Sequence, residues 1–136
     1  MSRQLRWAVL VLDLDPATGH EQAGSRRCLV VSYEPFHASG LMTVCPISAA
    51  RSAARYPNEV EIPIGEAGQT EPGVILCHQV RTVSLRRVSA LRAGSALVGY
   101  VTSPAVRSAV REALGHHLGL DVMAAADGAA GAPHVH

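Results

Sequence analysis

A short polar segment near the amino terminus combines residue types that can hold an anion and move a proton. Residues 19–26 read GHEQAGSR, and they place His20 and Arg26 within one loop-like stretch. Histidine as a residue type titrates at about pH 6.5, so it can take up and release protons near neutral pH. Arginine presents a planar fork of N–H donors that fits phosphates. These residue types suit chemistry on a negatively charged substrate.

The basic residues of the chain are all of one type. The 136-residue sequence contains twelve arginines and no lysine. An all-arginine set suits contacts with RNA, because the guanidinium matches phosphates and base edges. Genomic composition bias is the more common cause of such a missing lysine, and this chain is also rich in Ala, Gly and Val. The formal net charge is only +1, so any nucleic-acid site must be a local patch.

Apolar and alternating runs predict several consecutive strands followed by one helix. The helix begins after Ser103, which is suited to cap it, with Pro104 in its first turn, and Gly119 is suited to end it. A run of strands with a final helix favours a mostly β fold, a small antiparallel barrel with helical additions. The predicted strands cover residues 7–14, 28–33, 41–47, 59–64, 73–80 and 98–101.

A long loop and a tail complete this organisation. Residues 15–25 hold one proline and two glycines among polar side chains, and loops of that length in compact domains are often functional. We expect one domain over residues 1–121. Residues 122–136 are rich in Ala, Gly and Pro without apolar periodicity, and we expect them to form a flexible tail.

Several classes of protein are disfavoured by the sequence. Cys28, Cys45 and Cys77 lack metal-binding or redox spacing and indicate buried thiols in a reducing compartment. We see no signal peptide and no run of 18 apolar residues, so we expect no membrane span and a cytoplasmic location. We expect no metal site and no cofactor.

Five segments of the chain resemble the MazF/PemK/Kid toxins, with a likeness that extends over roughly residues 7–120. The resemblance implies an SH3-like barrel with a C-terminal helix, a homodimer, and cleavage of single-stranded RNA without a metal ion. It also implies a toxin–antitoxin system with a MazE-like antitoxin whose acidic C-terminal segment blocks the RNA groove. The segments are VLDLDP at 11–16, GHEQAGSR at 19–26, VCPIS at 44–48, YPNEV at 56–60 and GVILCHQVRT at 73–82.

The resemblance also assigns roles to individual residues. Metal-free cleavage uses the ribose 2′-OH as nucleophile, with a base, an acid and a cation at the phosphate. Arg26 matches the family's cleavage-site arginine, which we interpret as charge stabilisation. Ser48 matches a hydroxyl that donates to the phosphate, and His20 matches a histidine that assists there in the Kid branch. The alternatives are a solvated arginine, a strand-end cap and an idle loop histidine.

His78 departs from the family pattern, which has Asp or Glu at this position. In the Kid branch that carboxylate is the proposed base, so His78 could form an acid–base pair with His20. A purely structural His78 is the alternative. Leu76 stands where the Kid branch has an arginine acid, so the Kid mechanism cannot apply unchanged.

Further residues are candidates for RNA contact. Glu21 and Gln22 can order the loop, or Gln22 can read a base edge. Tyr33, Phe36 and Tyr56 could stack on bases, although packing is the more common use of aromatic residues. Clustered arginines could line the RNA groove or be simply solvated. These arginines are Arg27, Arg81, Arg86 and Arg87.

Three departures leave rival functions open. Trp7-Ala8 replace the family's Gly-Asp, Arg27 replaces a proline, and residues 90–100 look inserted. A gyrase-poisoning toxin of the same fold is one rival, although the chain lacks the Trp-Gly-Ile end of that class. The other is a catalytically weak or dead barrel that binds RNA or the antitoxin.

Overall fold

The computed structural model describes residues 4–22, 24–89 and 96–122. Most of the expected tail, and residues 90–95 of the expected insertion, lie outside these ranges. Turns of 3-10 helix span Glu34–Ser39, Glu66–Gly68 and Cys77–Gln79. The strands and helices of the described ranges are β1 (Ala8–Asp13), β2 (Ser25–Val30), β3 (Leu41–Ser48), β4 (Glu59–Ile62), β5 (Gly73–Leu76), β6 (Arg81–Ser84), α1 (Arg86–Ser89), β7 (Leu97–Tyr100) and α2 (Pro104–His117).

The strands form one antiparallel sheet in the order β4-β5-β3-β2-β1-β7. β3 is the longest strand, and β6 pairs with its first half while β5 pairs with its second half. The sheet curls into a half-barrel, with α2 packed against its edge strand β4. The predicted mostly β fold with a C-terminal helix is therefore confirmed. Pro63 directly follows β4, at the edge where a missing backbone donor is tolerated.

Alternate residues of the strands enter two apolar clusters, one on each face of the sheet. Val9 and Leu29 pack with Val110 of α2, while Leu10 and Cys28 pack on the other face. This alternation follows from the two-residue repeat of a strand. Each buried aliphatic side chain contributes about 1.5–3 kcal/mol. The two clusters hold β1 and β2 rigidly, and the loop between these strands carries His20.

The ends of α2 match their sequence signals. The Ser103 hydroxyl accepts a hydrogen bond from the Val106 amide at 3.2 Å, as expected of an N-cap. Gly119 takes a φ of +72°, which glycine adopts without strain, just beyond the last helical turn. The Leu120 amide donates to the Gly115 carbonyl at 2.7 Å and closes the helix end.

Two sequence-based boundaries are wrong. β2 begins at Ser25, so Arg26 and Arg27 lie in a strand, paired with Leu12 and Val11, rather than in the loop. The strand predicted over residues 73–80 is interrupted, because β5 ends at Leu76 and a 3-10 turn follows.

The interruption between β5 and β6 inserts residues without changing the neighbouring strand. Ile75 pairs with Ile47 and Arg81 pairs with Val44, so five residues lie between these pairs on one side and two on the other. The surplus forms the turn Cys77–Gln79. Irregularities of this kind re-aim side chains and recur beside active sites. Here the turn moves His78 and Gln79 out of the regular ladder.

In the ranges that the structure describes, no helix is long and apolar enough to cross a membrane.

Candidate active site

Two arginines hold the start of the β1–β2 loop through its main chain. Arg87 donates from Nη1 to the carbonyls of Asp13, at 2.7 Å, and Asp15, at 3.0 Å. Arg81 donates from Nη1 to the Leu14 carbonyl at 3.3 Å. Part of each guanidinium is therefore engaged by the chain itself, so both residues order the loop.

Gln79 ties the middle of the same loop to the inserted turn. Its Oε1 accepts a hydrogen bond from the Gln22 amide at 2.8 Å, and its Nε2 donates to the His20 carbonyl at 3.4 Å. No role was predicted for Gln79 from the sequence. Its position beside His78 in the specific GVILCHQVRT segment was the one available signal. The amide fixes the loop that carries His20 against the turn that carries His78.

A cavity of about 330 Å³ lies between the loop and the turn. His78 lines it and is half-buried, and its Nδ1 atom is buried without a hydrogen-bond partner among the described residues. Buried polar atoms normally have a partner, so an unsatisfied ring nitrogen beside a cavity calls for an explanation. The remaining lining residues are Leu14, Glu21, Gln22, Pro46, Gln79, Val80 and Arg81.

The ion pair between Arg51 and the buried carboxylate of Glu59 lies close to His78. Glu59 accepts hydrogen bonds from Arg51 Nη1 at 3.0 Å and Nη2 at 2.6 Å, and from the Arg55 amide at 2.8 Å. The Arg51 guanidinium, more than any other group, lowers the pKa of Glu59 to about 2, and His78 adds a smaller effect of the same sign. Glu59 therefore keeps its negative charge on this side of the turn at neutral pH.

Arg26 and Arg27 are adjacent on β2, and they are held differently. Arg27 donates from Nη1 to Gln69 Oε1 at 3.0 Å, while Arg26 is exposed. Both residues line a second cavity of about 220 Å³. Arg26 and His78 therefore do not line the same cavity. The other lining residues are Ser25, Ile47, Ala49, Gln69 and Glu71.

Strand register relates the two cavities. Cys28 pairs with Pro46, a residue of the His78 cavity wall. Arg26 lies two residues before Cys28 and Ser48 two residues after Pro46, so both share that face of the sheet. The Ser48 Oγ accepts a hydrogen bond from the Ala50 amide at 3.3 Å and caps the end of β3. Ser48 lines neither cavity.

The other candidates are exposed side chains. His20 is exposed, and Glu21 accepts a hydrogen bond from the Thr18 amide, which orders the loop. Arg86 is also exposed. Tyr33, Phe36 and Tyr56 are exposed as well, so none of these aromatic residues belongs to the core.

The thiols and acidic groups supply no second kind of site in the described ranges. Cys28, Cys45 and Cys77 are free and buried, as the sequence predicted, and burial raises the pKa of the Cys28 thiol to about 12. A thiol in that state is a poor nucleophile. No group of three or more His, Cys, Asp or Glu side chains in the described ranges is arranged to hold a metal ion.

The loop, the turn and the C-terminal helix all fall within a match to one protein family. Its model is described as the PemK-like, MazF-like toxin of type II toxin-antitoxin system, and it matches residues 5–118. The chain belongs to this family. The resemblance carried by the GHEQAGSR and GVILCHQVRT segments is thus confirmed.

Curated relatives within the family are named endoribonucleases. Endoribonuclease toxin ChpB of Escherichia coli K12 is 38% identical over 93 residues, which cover 67% of this chain and 78% of the relative. Endoribonuclease EndoA of Bacillus subtilis is 34% identical over 85 residues, 62% of this chain and 73% of the relative.

Solved MazF structures share the fold. MazF from Deinococcus radiodurans superposes with a TM-score of 0.67 at 30% identity, over 84% of this chain and 94% of that chain. A MazE-MazF complex from the same organism gives a TM-score of 0.62 at 30% identity, with the same coverage. An endoribonuclease in complex with its cognate antitoxin from a mycobacterial species gives 0.67 at 19% identity, over 87% of this chain and 97% of that chain, and shows the fold alone.

Proposed function

We propose that this member of the PemK/MazF family is a toxin that cleaves single-stranded RNA at selected sequences without a metal ion. The observation that carries the proposal is the Gln79 bridge, which joins the His20 loop to the turn with His78 beside a cavity. The cation Arg26 lies on β2, on the same sheet face as Pro46, which lines the cavity. Family membership and relatives named endoribonucleases support the same activity.

The proposed reaction begins with attack by the ribose 2′-OH on the neighbouring phosphorus. His78 takes the 2′ proton as the new O–P bond forms. The bond from phosphorus to the 5′-oxygen then breaks, and His20 donates a proton to that oxygen. The products are a 2′,3′-cyclic phosphate and a 5′-OH end, so no oxidant, metal or water enters the step.

Arg26 stabilises the charge that develops on the phosphorane. Its two terminal nitrogens can bond two phosphate oxygens at once, which makes the interaction both strong and directional. Ser48 lies on the same face of the sheet and supplies a hydroxyl donor to that phosphate. Arg81 and Arg87 act indirectly in this scheme, because their guanidiniums hold the loop.

Sequence selection is assigned to the loop and its rim. Gln22 lines the His78 cavity and offers its side-chain amide to a base edge, and Glu21 orders the same loop. Arg27 on β2 and Arg86 in α1 contribute positive charge that attracts the RNA backbone. A base-specific amide contact is worth about 1–3 kcal/mol of discrimination.

The partners of this toxin follow from the family. We propose a cytoplasmic homodimer that is inhibited by a MazE-like antitoxin, whose acidic C-terminal segment occupies the RNA groove. The MazE-MazF complex of Deinococcus radiodurans supports the choice of partner. A phosphate site marked by Arg26 suits carboxylates for the same electrostatic reason.

The test is incubation of purified protein with a long single-stranded RNA in EDTA, followed by mapping of the cut ends. We expect defined cuts with 5′-OH and cyclic phosphate ends, which disappear in the Arg26→Ala variant. Intact RNA that still binds the protein would identify a catalytically dead barrel. Intact RNA together with inhibited DNA gyrase would identify a gyrase poison instead.

A further inference from the structure

Three arginines converge on one buried tryptophan at the start of β1. The guanidinium carbons of Arg6, Arg107 and Arg111 lie 5.4, 5.2 and 5.3 Å from the centre of the Trp7 ring. Any two of these carbons are therefore less than about 11 Å apart. Trp7 is 4% exposed and also packs in the apolar cluster with Val9 and Val110, while Arg6 and Arg107 are half-buried and Arg111 is exposed. Stacking on an aromatic ring attracts each cation and fixes its orientation.

The three charges are not neutralised within the described ranges of the chain. None of the three guanidiniums forms a salt bridge there, and the Arg6 Nε is buried without a hydrogen-bond partner. Arg107 donates only its Nε, to the Val101 carbonyl at 2.9 Å. Arg107 and Arg111 are four residues apart on α2, a spacing at which like charges repel. A bound anion would remove this repulsion and satisfy the free donors.

The backbone is also held in an unusual conformation at this place. Trp7 has a φ of +71°, in the left-handed region that is costly for a residue with a side chain. Trp7 stands where the resemblance to the family places glycine, the residue that adopts this conformation without strain. Residues strained in this way cluster at functional sites. Trp7 contributes the platform on which all three arginines are stacked.

The chemistry around the cluster favours RNA over an acidic peptide. Glu34 accepts hydrogen bonds from the Leu5 and Arg6 amides, and the turn that begins at Glu34 follows Tyr33 and contains Phe36. Both rings are exposed, Tyr33 by 68% and Phe36 by 39%. Arginines for phosphates together with exposed rings for bases are the usual elements of a single-strand binding surface.

We propose that Arg6, Arg107 and Arg111, stacked on Trp7, form a second phosphate site that anchors the RNA strand away from the cut. This inference rests on the proposed function. Trp7 packs in the cluster that contains Val9 and Val110, on the sheet face opposite Cys28 and Pro46, and it lies six residues from Asp13 along the chain, about 20 Å at 3.3 Å per residue. An RNA strand that reaches both sites therefore passes around the edge of the sheet and needs at least this length. That length corresponds to about six nucleotides at a duplex rise of 3.4 Å. Only RNA that extends well beyond the cut can reach both sites.

The experiment compares long and short substrates on an Arg107→Gln/Arg111→Gln variant of the full chain. Glutamine has nearly the helix propensity of arginine, so α2 is expected to persist, and the melting temperature checks this. We expect KM to rise about tenfold for an RNA of about twenty nucleotides, with kcat unchanged, because about two phosphate contacts are lost. The slope of log affinity against log salt concentration, measured with the same RNA carrying 2′-deoxy at the cut, should become shallower by about 1.4. Cleavage of a tetranucleotide should not change.

Controls separate this site from general charge effects and from the catalytic proposal. Arg55→Gln removes one exposed charge whose guanidinium has no partner in the described ranges, and it should leave KM unchanged for both RNAs. An unchanged KM and salt slope in the double variant would overturn the second site. An equal loss on the tetranucleotide would overturn it too, since the effect would then be structural. If the wild-type chain cuts no RNA but the deoxy RNA still shows the arginine-dependent slope, the proposed function fails and the second site stands.

Discussion

The two cavities that flank the β1–β2 loop differ in how their charged groups are held. The His78 cavity is lined by Gln79, whose side-chain amide ties the β1–β2 loop to the inserted turn. The other cavity lies at the start of β2, where Arg27 donates a hydrogen bond to Gln69 and Arg26 is exposed. His78, the proposed base, thus lies at an irregularity of the sheet, and Arg26, the proposed cation, lies on a regular strand.

The different surroundings of Arg26 and Arg27 follow from the geometry of a strand. Consecutive side chains of a strand point to opposite faces. Arg27 therefore points toward Gln69, and Arg26 shares the face of Pro46, which lines the His78 cavity. The proposed reaction requires a phosphate on that face to be within reach of both Arg26 on the strand and His78 on the turn.

The comparison of the two arginines gives the largest expected effect. Arg26→Ala should lower single-turnover RNA cleavage by about a thousandfold, because it removes the charge that stabilises the phosphorane. Arg27→Ala should lower it less than about tenfold, since that guanidinium is tied to Gln69 and only adds a rim charge. Equal losses in the two variants would remove the distinction between the faces.

The next largest loss of RNA cleavage is expected when His78 is replaced. His78→Ala should lower cleavage by about a hundredfold, the usual contribution of a general base. His78→Asp, which restores the residue type of the family, should recover activity with the acidic limb of the pH–rate profile about two units lower, because a carboxyl titrates below an imidazole. Near-normal cleavage by His78→Ala would eliminate the His20/His78 pair.

Gln79 should have a smaller effect, because it positions rather than reacts. Gln79→Ala frees the loop from the turn and should lower kcat about tenfold, with little change in melting temperature. Gln79→Glu keeps an acceptor for the Gln22 amide but loses the donor to the His20 carbonyl. Its kcat should therefore lie between those of wild type and Gln79→Ala. A loss of thermal stability that accounts for the lost activity would assign Gln79 a merely structural role.

The smallest effect concerns stability. The pKa of Glu59 is lowered to about 2, so its ionised form stabilises the fold above its ordinary pKa of 4.5, and this stabilisation is lost as pH falls toward 2. Glu59→Gln should melt lower than wild type at pH 7 and show a flatter loss of melting temperature between about pH 5 and pH 2. Glu112→Gln, at an exposed helix position, serves as the control. Parallel curves for Glu59→Gln and wild type would contradict the prediction.

The sequence predicted six of the seven strands in the described ranges, and α2, because their signals are local, whereas β6 and the short α1 were not predicted. Ser103, Pro104 and Gly119 bound α2 by caps that depend on a few neighbours, and the strands follow from alternating burial. The turn at Cys77–Gln79 could not be predicted, since GVILCHQV reads as one apolar run and the insertion is defined only by its pairing with β3.

The site was predictable in part for the same reason. His20, Arg26 and His78 stand out by residue type within specific segments. The role of Gln79 depends on a contact with Gln22, 57 residues away along the chain, which no local pattern records. The stacking of Arg107 and Arg111 on Trp7 likewise joins α2 to the start of β1. Long-range contacts of this kind decide which charged residues face a substrate.

The most direct test is a structure of the chain bound to a single-stranded RNA with a 2′-O-methyl group at the cut, which blocks the nucleophile. We predict that one phosphate, at the cut, is contacted by both the Arg26 guanidinium and the His78 imidazole, with His78 also within reach of the 2′-oxygen. A complex in which Arg26 binds the phosphate while His78 faces neither that phosphate nor its 2′-oxygen would contradict the proposed site.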